Sequence, residues 1–78
     1  MASERALLAS GVRIALGLMP ELTNVKRAAR LGVTTRTLYE WKNGALSPSP
    51  ENIARLADAS GMTEDDIRNG RLPAGEAR

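Results

Sequence analysis

The sequence predicts an all-α fold, five short helices in one small domain, on three observations. Apolar residues recur at helical spacings, and no run alternates with the two-residue period of a strand. Four glycines, Gly32, Gly44, Gly61 and Gly70, each close a run that opens on a serine or threonine, the residue types that cap and stop helices. The length, 78 residues, is near the lower size at which a chain buries a core unaided, which leaves room for one domain and not two.

Each element follows from its own signals. Ser3 caps a first helix that runs to about Leu18, and Pro20 ends it by restricting the residue before it and lacking an N–H. Leu7, Leu8, Val12, Ala15, Leu16 and Met19 give this helix an apolar surface wider than one partner requires. Either other helices wrap it on two sides or part of it faces a second subunit. Thr23 caps a second helix, Asn24 to about Leu31, that Gly32 ends in the left-handed conformation. Val25, Ala28, Ala29 and Leu31 form its expected inner face, with Lys26, Arg27 and Arg30 outside. Thr34 caps a third helix, Thr35 to about Asn43, stopped by Gly44. After a turn over residues 45–49, Ser49, Pro50 and Glu51 announce a fourth helix with Ile53, Leu56, Ala57 and Ala59 or Ser60 inward and Gly61 at its end. Thr63 caps a short fifth helix with Ile67 inward and Gly70 as its stop. Residues 1–72 are expected to form the domain and 73–78 a flexible tail.

Composition excludes most chemistry. Cysteine and histidine are both absent, which removes disulfides, zinc fingers, thiol nucleophiles and imidazole bases. A catalyst built from the remaining residues needs paired carboxylates in a pocket, and five short helices offer no obvious cleft. No enzyme activity, cofactor or metal is expected. The acids Glu64, Asp65 and Asp66 occupy a first helical turn, where the helix dipole accounts for them. The longest apolar stretch, Ala6 to Met19, is broken by Ser10, Gly11, Arg13 and Gly17 and falls short of the ~20 residues that cross a bilayer. With no basic leader or cleavage site either, a cytoplasmic protein without membrane contact is the default.

The net charge of +2 indicates no partner, but its distribution is uneven. Up to Glu21 two arginines cancel two acids, and beyond Pro48 four arginines face six acids. Between them Lys26, Arg27, Arg30, Arg36 and Lys42 face Glu40 alone. In this basic third, Gly32-Val33-Thr34 is too short to let the flanking helices run antiparallel, so they cross steeply, as a helix-turn-helix requires. Ala28 is small where the helices approach, Val33 plugs the turn, and Leu38 and Trp41 face inward from the third helix. Residues Thr35, Arg36, Tyr39, Glu40 and Asn43 are left outward.

Residues 23–44, Thr-Asn-Val-Lys-Arg-Ala-Ala-Arg-Leu-Gly-Val-Thr-Thr-Arg-Thr-Leu-Tyr-Glu-Trp-Lys-Asn-Gly, resemble the helix-turn-helix of the phage repressor and Cro type. Residues 47–63, Ser-Pro-Ser-Pro-Glu-Asn-Ile-Ala-Arg-Leu-Ala-Asp-Ala-Ser-Gly-Met-Thr, are similar to that family's fourth helix and the approach to its fifth. The resemblance implies a compact repressor-type domain whose partner is double-stranded DNA. It implies a third helix in the major groove, a second crossing the backbone, and a homodimer on palindromic half-sites about one DNA turn (~34 Å) apart. A transcription regulator of phage, plasmid or bacterial origin, most often a repressor, fits this description. Where the family commonly has glutamine at the first position of the second helix, this chain has Asn24, one methylene shorter. The first helix lacks the family's arginine spacing, so no DNA role is carried over before Glu21.

Residue roles follow from chemistry on that surface. Arg36 is the leading base-reading candidate, because a guanidinium donates two parallel hydrogen bonds to guanine; a phosphate contact or a solvated side chain is its alternative. Thr35 and Thr37 offer a hydroxyl or methyl to a base edge, or serve only to start the helix. Glu40 accepts from a cytosine amino group, or holds Arg36 from one turn away, or is a tolerated acid at the groove edge. Thr23, Asn24, Lys26, Arg27, Arg30, Lys42 and Asn43 are phosphate candidates, against an ordinary solvated face. Tyr39 joins them with its hydroxyl or simply shields the junction beside Asn43, and Trp41 belongs to the core. A second function class, a protein-interaction module with a regulatory partner gripped by the first helix or by residues 67–72, competes with the DNA reading.

Overall fold

The computed structural model describes residues 3–73. These form five helices and no strand: α1 Glu4–Leu18, α2 Asn24–Leu31, α3 Thr35–Asn43, α4 Pro50–Ser60 and α5 Glu64–Asn69. Every helix starts as the sequence predicts, with the hydroxyl of Ser3, Thr23, Thr34, Ser49 or Thr63 accepting a backbone N–H one turn on. Helices α2, α3, α4 and α5 stop at a left-handed glycine, while α1 ends at extended Met19 just before Pro20. Of the tail expected at 73–78, only Pro73 lies among the described residues.

The core is one continuous cluster. Val12, Ala15, Leu16 and Met19 of the α1 region meet Ala28, Leu31, Leu38, Trp41, Ile53, Leu56, Met62 and Ile67, and Val33 packs against them from the turn. Thus α1 is wrapped by α3, α4 and α5, which accounts for its broad apolar surface. Its closest neighbour is α5. A Cβ placed on Gly11 would lie 1.7 Å from the carbonyl oxygen of Ile67, so only glycine permits the two backbones to touch there. In the sequence Gly11 registers merely as a break in an apolar run.

One expectation needs correction. Val25 is 68% exposed and Ala29 is also exposed, so the inner face of α2 is reduced to Ala28 and Leu31. Periodicity marks which side of a helix faces inward, but here the core reaches only the C-terminal half of α2. Of the segment 67–72 proposed to grip a partner, Ile67 is fully buried and committed to the core, which leaves Leu72 exposed.

Candidate nucleic-acid interface

The turn between α2 and α3 is built from backbone hydrogen bonds. Gly32 N–H donates to Ala29 O at 3.2 Å and Val33 N–H to Ala28 O at 3.0 Å, with Gly32 at φ 73°. This double closure satisfies the carbonyls of Ala28 and Ala29 and aims the chain so that α3 starts at once. Thr34 then fixes the entry to α3. Its hydroxyl accepts Thr37 N–H at 3.1 Å and lies 3.1 Å from the Thr37 hydroxyl. Thr37 is half-buried and engaged in starting the helix, whereas Thr35 is exposed beside it.

With Leu38 and Trp41 turned into the core, α3 presents Thr35, Arg36, Tyr39 and Asn43 to solvent, with Glu40 partly exposed among them. Arg36 is the most prominent: its side chain is 87% exposed, and Nε lies 3.7 Å from a Glu40 carboxylate oxygen. That distance is a loose ion pair rather than a hydrogen bond. The structure therefore brings together the two residues whose pairing the sequence offered as one option for Glu40. Lys42 is half-buried near the helix end.

The α2 candidates are arranged in pairs. Asn24 accepts from Arg27 at 2.9 Å, and Arg30 donates to Glu21 at 3.0 Å. The hydrogen bond from Arg30, aided by the nearby charges of Arg30 and Arg27, holds the Glu21 carboxyl below its ordinary value against the opposing effect of desolvation. Thr23 uses its oxygen to cap Lys26 N–H at 3.2 Å, leaving its own O–H to donate. Lys26 is exposed and, among the described residues, is within 4.0 Å of no acid. Glu21 was not among the site residues anticipated from sequence. Nothing in a nine-residue spacing across the start of α2 announces its pairing with Arg30.

Two arginines outside the motif hold its helices by their C-terminal ends. Arg55 of α4, itself 3.0 Å from Glu51, donates to Leu31 O at the end of α2 at 3.3 Å. Arg13 of α1 donates to Lys42 O at the end of α3 and, through its other amino group, to Ser10 at 3.0 Å. A helix end leaves carbonyls without partners, so some donor is called for. Which donor supplies it is decided by packing.

Elsewhere, an open depression of about 630 Å³ is lined by Glu4, Arg5, Leu7, Leu8, Ser47, Arg68 and Asn69. Among the described residues, Glu4 is the one carboxylate that lines it. The acids of α5 are engaged by arginines: Glu64 with Arg68 at 3.6 Å, Asp65 and Asp66 with Arg71. No helix among the described residues is long and apolar enough to cross a membrane.

Comparison with curated proteins and with solved structures gives no match. The helix-turn-helix family HTH_3 matches residues 22–67, a span that opens just before the Thr23 cap and closes on buried Ile67. It takes in both helices of the motif, their glycine-closed turn and the α4 and α5 residues that support them. With that span covering more than half of the sequence, the chain belongs to the Cro/C1-type helix-turn-helix family of DNA-binding transcription regulators.

Proposed function

We propose that this chain is a sequence-specific, non-enzymatic regulator that binds a palindromic operator as a homodimer, lays α3 in the major groove and represses transcription in the cytoplasm. One observation carries the reading: the first turn of α3 projects an 87% exposed Arg36 with Glu40 3.7 Å away. A guanidinium so placed suits bidentate donation to guanine, and a neighbouring acid narrows its orientations before binding. Thr35 supports the same base-facing surface, Thr37 contributes through the helix start, and Glu40 is also placed to accept from cytosine. Thr23, Asn24, Lys26, Arg27, Arg30, Tyr39, Lys42 and Asn43 flank it as phosphate contacts that set register.

Selection from a random duplex library at physiological salt, with sizing of the bound species, tests this reading. A palindromic consensus with half-sites about one turn apart (~34 Å), bound by two chains, is the expected result. Weak, salt-sensitive binding without a consensus rejects it.

A second reading, a module that acts through a protein partner, is favoured by Leu22 at 89% exposure and Val25 at 68%, two large apolar side chains open to solvent at the start of α2. Replacing both with serine leaves duplex binding intact and abolishes regulation in the cell if this reading holds.

A further inference from the structure

The C-terminal end of α3 is held by a residue that belongs neither to the motif nor to the base-facing surface. Arg13, on α1, sends one amino group to Lys42 O and the other to Ser10 on its own helix at 3.0 Å. Lys42 O lies in the last turn of α3, where carbonyls lack intrahelical donors and the helix dipole places partial negative charge. Two of the other carbonyls there are served locally, since Ala45 N–H and Leu46 N–H both donate to Glu40 O and Gly44 N–H to Trp41 O. Arg5 and Ala9 of α1 pack against Gly44 just beyond, within 3.7 to 3.8 Å of where its Cβ would stand. The α3 helix is thus fixed to α1 at one end, while Thr35 and Arg36 stand in solvent at the other. Leu38, Trp41 and the Thr34 entry seat the rest of α3, so the Arg13 contact adjusts the tilt of a helix already held by the core, and a small rotation at its C-terminal end is carried along the rigid helix to the side chains at the other.

We infer that Arg13 is a positioning residue for base recognition: by gripping the end of α3 it sets the angle at which Arg36 enters the groove. This rests on the proposed role of α3 as the groove reader. Arg13 donates to the protein's own carbonyl, so it contributes to discrimination between sequences without a phosphate contact of its own. Arg55, which holds the end of α2 in the same manner, is the natural comparison, because α2 positions backbone contacts and not base contacts.

The test uses the full chain with Arg13→Ala, Arg13→Lys and Arg55→Ala, each assayed at a temperature where it is fully folded. Affinity for the selected site and for a scrambled duplex is measured across a salt series, and amide exchange is measured in the free protein. Arg13→Ala is expected to lower the ratio of specific to scrambled affinity severalfold, with an unchanged salt slope. Arg13→Lys, which keeps a charged donor, is expected to recover most of that ratio, and Arg55→Ala to weaken both duplexes alike. A salt slope flattened by about one with equal loss on both duplexes makes Arg13 a phosphate contact and overturns the inference, as does an unchanged ratio. If the wild type selects no site, the groove-reading proposal fails separately. The grip itself is then judged by exchange: faster exchange in the last turn of α3 alone in Arg13→Ala supports it, and unchanged exchange there overturns it.

Discussion

At the scale of single residues, the interface separates into side chains held by partners and side chains left free, and the two groups respond differently to substitution. Arg36 is free apart from the loose approach of Glu40. Arg36→Ala is expected to remove preference at one symmetric base position, costing about 1–3 kcal/mol of discrimination, measured by repeating the selection with the variant. Lys26 is exposed and unpaired with any described acid, so Lys26→Ala is expected to weaken every duplex alike and to lower the salt slope by about one for each chain bound. It is a cleaner probe of phosphate contact than Arg27, which is half-buried and tied to Asn24. Glu21 adds a pH dependence. Its carboxyl sits below the ordinary 4.5 because Arg30 donates to it, so the pair's stabilisation is present above that value and is lost as pH falls through the lowered one. Thermal melts of wild type and Glu21→Gln are expected to differ at pH 6 and to converge under strongly acidic conditions.

At the scale of the elements, what matters is how closely helices approach and how firmly they begin. Gly11 leaves no space for a methyl group against Ile67 O. Gly11→Ala therefore has to push α5 away from α1, and a loss of about 1–3 kcal/mol or more is expected from the overpacking, read as a lower midpoint in urea. Because Ile67 is a core residue, the displacement opens the core between α1 and α5. Thr34 acts on a smaller scale. Thr34→Ala removes the cap of α3 and is expected to cost about 1 kcal/mol, with lower affinity for the selected site because the freed turn is the one that carries Thr35 and Arg36.

At the scale of the whole molecule, charge is divided between the middle of the chain and its C-terminal third. The basic third forms α2, the turn and α3, while Glu51, Asp58, Glu64, Asp65 and Asp66 lie on α4 and α5. An approaching polyanion is attracted by one region and repelled by the other, so orientation is biased before any contact forms. Replacing Glu51 and Asp58 by Gln and Asn changes the net charge from +2 to +4. It is expected to raise affinity for scrambled duplex at low salt more than affinity for the selected site, and the difference is expected to shrink as screening increases.

The sequence by itself determined the helices, their caps and their stops, because those signals are local. A threonine hydroxyl reaches its own N–H one turn on, and a glycine turns left-handed where it stands. It also determined the outward face of α3, since Leu38 and Trp41 leave one side of a nine-residue helix for solvent. Tertiary structure decided the rest. Val25 lies on the apolar side of α2 and is still exposed, because periodicity gives the direction of a side chain and not the extent of the core beneath it. The ion pair of Glu21 with Arg30, the contact of Gly11 with Ile67 and the grip of Arg13 on Lys42 O join residues whose spacing follows no helical or strand period. Such contacts are set by how the helices cross, and the sequence encodes that crossing only through the packing of the entire core.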